Sequence, residues 1–524
     1  MSRRSSHPDV TIPEVPLPEF VLGRAAGLGD KPALIDASTG RVMTYAELAR
    51  AVQRAAAGLA ARGFQKGNVL ALCSPNLLEY AVVFHAAAML GGVITPVNPL
   101  SLASEMATQL KDSGARYVVT VPALLGKVQE ATAQTGVQQV FVLGDSDTAL
   151  SFEALLAHDG PPPRVEIDPR TDLVVLPYSS GTSGLPKGVM LTHYNMVANL
   201  RQSAELLPLR EDDVLIAALP FFHIAGLAVV LLLGLSQGTT LIVLPRFEME
   251  PFLQALQKYR VTTAVLVPPI MLALAKSPLV SQYDLSALRQ ILGGAAPLSA
   301  EIEQACAARL GCIVGQGFGM TEVGGLLSAN PLGARERIKH GAAGLLAPNT
   351  ECRVIDLETG ADLGPNQHGE IWFRGPQVMR GYLHQPEATS AALDAGGWLH
   401  TGDIGYVDEE GSLYVVDRLK ELIKYKAWQV APAELEAVLL THPAVADAAV
   451  IPSRDEEAGE VPKALVVTRA QVTAEELLEF VAARVAPYKR IHKLAFIEQI
   501  PKTPSGKILR RLLVARERAT AGPA

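Results

Sequence analysis

Between about Lys31 and Gly341 the chain alternates short apolar runs of β type with longer stretches of helical pattern. Val69-Leu70-Ala71-Leu72, Val93-Ile94-Thr95, Tyr117-Val118-Val119-Thr120 and Gln139-Val140-Phe141-Val142 are runs of the first kind. So are Leu215-Ile216-Ala217, Thr240-Leu241-Ile242-Val243 and the segment Thr263 to Val267. Segments such as Leu77 to Leu90 lie between them and are long enough for helices. Strands that alternate with helices confine such a chain to an α/β architecture with mostly parallel sheets.

After Gly341 the texture changes. Short β runs at Glu351 to Ile355, Glu370 to Arg374 and Ser412 to Val416 are divided by Gly, Asp and Pro turns, which predicts a β-rich subdomain. Beyond Asp417 come a helix over Ala433 to Leu440, further strands, a second helix over Ala474 to Val485 and a basic tail. We therefore expect a large N-terminal domain over 1–417, its β-rich part at about 341–417, and a small α+β lid over 418–524. The lid is about 100 residues, an ordinary domain size. The first 20 residues are punctuated by proline and are expected to be extended.

Bulk properties narrow the function. The 524 residues are 49% hydrophobic and 19% charged, a folded rather than a disordered balance. The net charge of −7 argues against general nucleic-acid binding, which needs a basic footprint. The four cysteines, Cys73, Cys306, Cys312 and Cys352, form no C-x-x-C pair and suit reduced thiols in a cytoplasmic protein. Arg3 and Arg4 are not followed by an apolar signal core. The apolar run Ile224 to Leu235 is too short to span a bilayer and reads as a buried helix, so no membrane association is expected.

The strongest local signal is Tyr178-Ser179-Ser180-Gly181-Thr182-Ser183-Gly184-Leu185-Pro186-Lys187-Gly188, between an apolar strand (Asp172 to Pro177) and a helix that opens near Thr192. Glycines let backbone N–H groups turn inward, hydroxyls add donors and the lysine adds charge, a combination suited to a polyphosphate. The spacing is not that of a Walker A loop. By composition alone an ordinary flexible loop is the lesser alternative.

With this stretch the chain resembles the adenylate-forming superfamily of acyl- and aryl-CoA ligases, beetle luciferases and peptide-synthetase adenylation domains. The other motifs follow in family order: Leu219-Pro220-Phe221-Phe222-His223-Ile224-Ala225-Gly226, Gly315-Gln316-Gly317-Phe318-Gly319-Met320-Thr321-Glu322, Gly369-Glu370-Ile371-Trp372-Phe373-Arg374-Gly375-Pro376, Trp398-Leu399-His400-Thr401-Gly402-Asp403, Asp417-Arg418-Leu419-Lys420-Glu421-Leu422-Ile423-Lys424 and Pro504-Ser505-Gly506-Lys507. The likeness covers nearly the whole chain and is greatest to 4-coumarate–CoA ligases and bacterial aryl-CoA ligases.

The resemblance implies a role for each motif. ATP would be held by Ser179, Ser180, Gly181, Thr182, Ser183, Gly184 and Lys187 at its phosphates. Gly317, Phe318, Gly319, Met320 and Thr321 would meet adenine and phosphate, and Asp403 and Arg418 the ribose. Glu322 would hold Mg²⁺, a hard cation that takes oxygen ligands from one or two carboxylates and from phosphates. An ionised Asp403 can accept from both ribose hydroxyls. His223, Ala225, Gly293, Gly294, Ala295, Gly317, Val323 and Gly324 would surround the acyl group. Ala225 stands where plant coumarate ligases carry Tyr, and the small residues suit a flat aromatic or aryl-alkenyl acid. Taken singly, Glu322 could be a surface carboxylate, Asp403 a turn former, Phe318 a core ring, His223 a structural histidine and Lys507 a solvated lysine.

The expected chemistry has two halves. A carboxylate attacks the α-phosphorus of ATP and expels pyrophosphate, with Lys507 offsetting the repulsion between anions. The small domain then turns about a hinge at Lys420, removes Lys507 and presents the face from Lys424 to Gln429, with Lys424, Lys426, Ala427 and Trp428 along the nucleophile channel. CoA is the expected acceptor. Relatives read Lys-Tyr-Lys-Gly-Phe-Gln where this chain has Lys424-Tyr425-Lys426-Ala427-Trp428-Gln429. The lost glycine keeps a second reading open, an amide synthetase in which a free amine replaces CoA. Either would act on small molecules as a monomer or homodimer.

Overall fold

The structure is a computed structural model and describes residues 2–179, 186–426, 428–455, 458–503 and 506–520. Two nine-stranded sheets and a five-stranded antiparallel sheet form the large domain, and a second five-stranded sheet forms the small one. The anticipated α/β class is observed, with parallel pairing through the centre of both large sheets.

In the first large sheet Val69–Cys73 lies between Val93–Pro96 and Ala115–Thr120, all parallel. In the second, Thr263–Leu266, Gln290–Gly293 and Ile313–Met320 run parallel side by side. Thr263–Leu266 and Gln290–Gly293 are buried along their whole length, as strands inside a parallel sheet are. The helix Leu78–Met89 touches strands of both large sheets. It is therefore buried from Tyr80 to Ala88 and has no polar stripe.

The β-rich part is an antiparallel sheet of Glu351–Ile355, Gly369–Arg374, Leu399–Val407 and Leu413–Arg418. Its remaining strand is Arg3–Arg4, paired to Glu351–Ile355. The N-terminal segment departs from the extended form expected of it only at its end, where a helix, Leu17–Leu22, begins. Pro18 sits in the first helical turn, where its missing N–H costs nothing, and Leu17 and Val21 are buried beneath it.

The small domain packs its helices Pro432–Thr441 and Ala474–Ala482 on a sheet built around the long hairpin Val445–Asp455 and Gly459–Thr468. Its core of Ile423, Leu435, Leu439, Val450, Val466, Leu477 and neighbours is a cluster apart from that of the large domain. No helix among the described residues is long and apolar enough to cross a membrane.

Candidate active site

A cavity of about 1940 Å³ opens where the parallel strands of the second large sheet end, bounded on its other side by the small domain. Crevices beyond the carboxyl ends of parallel strands are the usual ligand sites of α/β sheets. Pro269, Ala295, Phe318, Asp403, Arg418 and Lys507 all line it, from segments spread over nearly half the chain.

Asp403 and Arg418 occupy directly paired positions on antiparallel strands, with Arg418 Nε 3.4 Å from Asp403 Oδ1. Asp403 is 5% exposed. Burial raises its carboxyl to about 6, against the downward pull of Arg418 and Lys507. Lys507 is held down to about 8 by burial and then by Arg418, while Asp403 and Glu322 act in the opposite sense. The last motif thus lies within electrostatic reach of the two central ones.

A tight turn presents Lys507. The Gly506 N–H donates to Thr503 O at 2.8 Å, and the Lys507 N–H donates to Thr503 Oγ1 at 3.1 Å. Gly506 has φ +82, and a Cβ there would stand 3.0 Å from Pro269 Cδ, so glycine serves both the turn and the close approach to the large domain.

Glu322 is 5% exposed and accepts a hydrogen bond at Oε1 from the Tyr382 hydroxyl, at 3.0 Å. The Lys187 ammonium lies over the Tyr382 ring, 4.9 Å from its centroid. Burial and Glu322 raise the Tyr382 hydroxyl, so it remains a donor. No group of three or more His, Cys, Asp or Glu side chains able to hold a metal occurs among the described residues. A single buried carboxylate suits a cation that takes its remaining ligands from phosphates and water.

His223 ends a turn held from afar. The Asn76 amide donates to Ala217 O at 3.2 Å and to Leu219 O at 2.9 Å, and its Oδ1 accepts the Phe221 N–H at 2.7 Å. The Tyr80 hydroxyl donates to Phe221 O at 3.2 Å. The run read as a buried helix is a π-helix over Ala225–Leu232 that continues into an α-turn. At Gly226 a Cβ would lie 2.1 Å from Pro220 O, so the turn and the wide helix close on each other there. Wide π-turns are frequent at functional sites. Burial, then Lys507, lowers the His223 imidazole to about 4, which leaves it neutral at neutral pH.

The small residues do not all face open space. A Cβ on Gly293 would meet Met271 Sδ at 2.6 Å and Leu298 Cδ2 at 2.8 Å, and one on Gly294 would meet Gly317 O at 2.9 Å. Val323 is fully buried in the main core, and a Cβ on Gly324 would meet Met196 Sδ at 2.9 Å. Ala295, with φ +69, lines the cavity together with Gly317, Phe318, Gly319 and Met320. Thr321 opens a single helical turn that carries Glu322.

In the small domain, Lys424 and Gln429 are paired in the hairpin Ile423–Tyr425 and Trp428–Val430. Lys424 and Lys426 are exposed, the latter at φ +53, and Trp428 stacks on Tyr488 with centroids 4.6 Å apart. Lys420 is exposed at the junction between the domains. Ser179 and Lys187 flank the glycine-rich loop in paired strands. Ser180, Gly181, Thr182, Ser183, Gly184 and Ala427 lie outside the described residues. Asn76, Tyr80 and Tyr382 were not anticipated, and no spacing in the sequence links them to the motifs they support.

Comparison with known proteins agrees with this arrangement. Residues 23–383 match the family model "AMP-binding enzyme", and residues 434–507 match "AMP-binding enzyme C-terminal domain". The chain is 46% identical to 4-coumarate–CoA ligase 5 of Oryza sativa subsp. japonica, over 98% of this chain and 97% of the relative. Its fold is similar to that of the anthranilate CoA ligase AuaEII in complex with anthranoyl-AMP, with a TM-score of 0.90 and 25% identity, over 98% of this chain and 99% of that one. It is also similar to the amide bond synthetase McbA from Marinactinospora thermotolerans, with a TM-score of 0.85 and 27% identity, over 96% and 99% of the two chains. The signature loop, the Glu322 turn, the Asp403–Arg418 pair and the small-domain lysine occur together in one chain because it belongs to the AMP-binding enzyme family.

Proposed function

We propose that the protein activates an aromatic or aryl-alkenyl carboxylic acid with ATP to an acyl-adenylate and passes the acyl group to CoA, releasing AMP and pyrophosphate. The observation that carries this reading is the meeting of Lys507 with Asp403 and Arg418 at one cavity, with Glu322 within electrostatic reach of the lysine. Full-length similarity to a 4-coumarate–CoA ligase at 46% identity supports CoA as the acceptor over a free amine.

Asp403 accepts the ribose hydroxyls and Arg418 steadies it from the paired strand. Phe318 faces the adenine, while Ser179, the hydroxyl loop, Lys187 and Thr321 grip the phosphates. His223, neutral and backed by the Asn76-held turn, orients the acid carboxylate beside Ala225. Lys507 bridges the carboxylate and the α-phosphate, so that positive charge is already in place when the two anions approach. Glu322, oriented by Tyr382, would hold Mg²⁺, which when bound neutralises charge on the departing pyrophosphate.

The small domain then turns about Lys420, with the domain boundary at 417/418. Lys507 withdraws and the hairpin carrying Lys424 and Gln429 faces the adenylate for thiol attack. Ala427 and Trp428 border the path of the CoA arm. The four cysteines among the described residues are buried and unpaired, which suits the reducing cytoplasm where ATP and CoA are available.

The test is a pyrophosphate-release screen over cinnamic, benzoic and fatty acids, repeated with CoA and with simple amines and read by product mass. Thioesters of aryl or aryl-alkenyl acids are the expected products. Amides in their place, or a preference for acids of about twelve or more carbons, a class requiring a far longer apolar pocket, would overturn the reading. Ala427→Gly should leave thioester formation unchanged if alanine is tolerated beside the CoA path.

A further inference from the structure

The helix Pro432–Thr441 belongs to the core of the small domain, yet charged groups of the large domain meet it at both ends. At its N-terminus Ala431 provides no side-chain cap, and Pro432 has no N–H. The first available N–H, that of Ala433, donates to Asp417 Oδ2 at 2.9 Å. Asp417 lies on the strand Leu413–Arg418, paired with Ile404 of the large domain's antiparallel sheet. Its other oxygen accepts the Arg418 N–H at 2.7 Å, and the side chain is buried, with 4% exposure.

At the opposite end, Lys276 Nζ donates to Leu440 O at 3.0 Å. Lys276 closes the large-domain helix Pro268–Lys276, whose Pro269 abuts Gly506. A helix carries partial positive charge at its N-terminus and partial negative charge at its C-terminus. The carboxylate therefore meets the positive end and the ammonium the negative end, and both come from the other domain. The ends of a ten-residue helix are about 15 Å apart. One contact would leave the helix free to pivot, whereas two at that separation set its direction.

That direction is passed to Lys507. Arg510, three residues beyond it, is 8% exposed and makes a two-pronged ion pair with Glu436 of the same helix, at 2.7 and 3.0 Å. It also pairs with Glu421, just past the proposed hinge, at 2.8 Å.

We propose that Asp417 and Lys276 are positioning residues that clamp the helix Pro432–Thr441 in the orientation that delivers Lys507 to the cavity, so that adenylation depends on them and thioester formation does not. The clamp deepens the reading of two domain orientations and rests on it. Both bonds must break when the small domain turns, because donor and acceptor lie on opposite sides of Lys420.

The experiment measures the halves separately in the full-length enzyme, with 4-coumaric acid as probe. ATP–pyrophosphate exchange reports the first half, and thioester formation from preformed coumaroyl-adenylate and CoA reports the second. Lys276→Ala should slow exchange about 2- to 5-fold, the range of one helix-end charge, and Lys276→Arg should restore it. Asp417→Ala should slow exchange about 3- to 30-fold, the range of a lost N-terminal cap. Both should form thioester at the wild-type rate or faster, and the exposed Lys276→Ala should keep the wild-type Tm. No change in exchange for either variant, or equal losses in both halves, would overturn the clamp. Lys507→Ala in the same assays separates the two ideas. If it too slows both halves equally, the two-orientation reading fails. If it slows only exchange while the clamp variants do not, the clamp alone is wrong.

Discussion

Asp403 and Arg418 face each other across an antiparallel strand pair, 3.4 Å apart, with the carboxylate buried and the guanidinium half-exposed. Arg418 opposes the effect of burial on Asp403, which the proposed contact with two ribose hydroxyls requires in its ionised form. Asp403→Asn preserves shape but offers one carbonyl oxygen in place of two charged ones. Loss of charge-assisted hydrogen bonds should weaken ATP binding about 10- to 100-fold. Titration calorimetry with ATP checks this, and the apparent affinity for the acid should be nearly unchanged.

Lys507→Ala should lower the rate of adenylation about 100-fold, the cost of one preorganised charge donor. Thioester formation from synthetic acyl-adenylate should be largely spared. Rapid-quench measurement of each half-reaction reads the difference directly, and comparable losses in both would contradict a role confined to the first.

The pH profile follows from two groups of the free enzyme. Lys507, lowered to about 8, loses its positive charge as pH rises through that value, so kcat/KM for adenylation should fall on the alkaline side. Asp403, raised to about 6, gains a proton as pH falls through that value and can no longer accept two hydrogen bonds, which gives the acid limb. His223 is already neutral across this window and contributes to neither limb. Lys507→Arg should move the alkaline limb up beyond the accessible range while leaving the acid limb in place.

Tyr382→Phe removes the donor to Glu322 Oε1 and keeps the ring beneath Lys187. A hydrogen bond to a charged group is worth about 1.5–3 kcal/mol, so the Mg²⁺ concentration for half-maximal activity should rise about tenfold or more. A Mg²⁺ titration of pyrophosphate release checks this. An unchanged requirement would mean that Glu322 is oriented without the tyrosine.

Gly293 and Ala225 should respond differently to added bulk. A methyl at Gly293 meets Met271 and Leu298 at once, so Gly293→Ala should cost about 1–3 kcal/mol of stability for every substrate alike. Ala225→Leu, at the proposed acyl site beside His223, should instead reject larger rings first. Thermal unfolding and a series of substituted cinnamic acids distinguish the two outcomes.

The candidate site residues were legible in the sequence because each sits in a short segment whose residue types already suggest a local task. The glycines and hydroxyls around Lys187, the Thr321-Glu322 turn and the Gly506-Lys507 turn need no distant partner to be noticed. Periodicity likewise revealed the parallel sheets and the separate C-terminal unit, since a buried strand or helix face must be apolar at its own repeat. Only the end of the N-terminal segment was misread, because prolines favour extended chain in isolation, while burial of Leu17 and Val21 rewards a helix only in the folded molecule. The π-helix after His223 shows the same apolar run as an α-helix, and its close approach to Pro220 at Gly226 is a contact that periodicity does not record.

What only the tertiary structure decided is which distant groups meet. Tyr382 reaches Glu322 across 60 positions, and Asn76 holds the Phe221 turn across 145. Asp417 and Lys276 find the two ends of one helix from different elements of the large domain. These bonds depend on the packing of whole sheets and domains against each other. A hydrogen bond requires its two atoms to lie within about 3 Å, and no residue's own type or spacing carries that information until the intervening chain has folded.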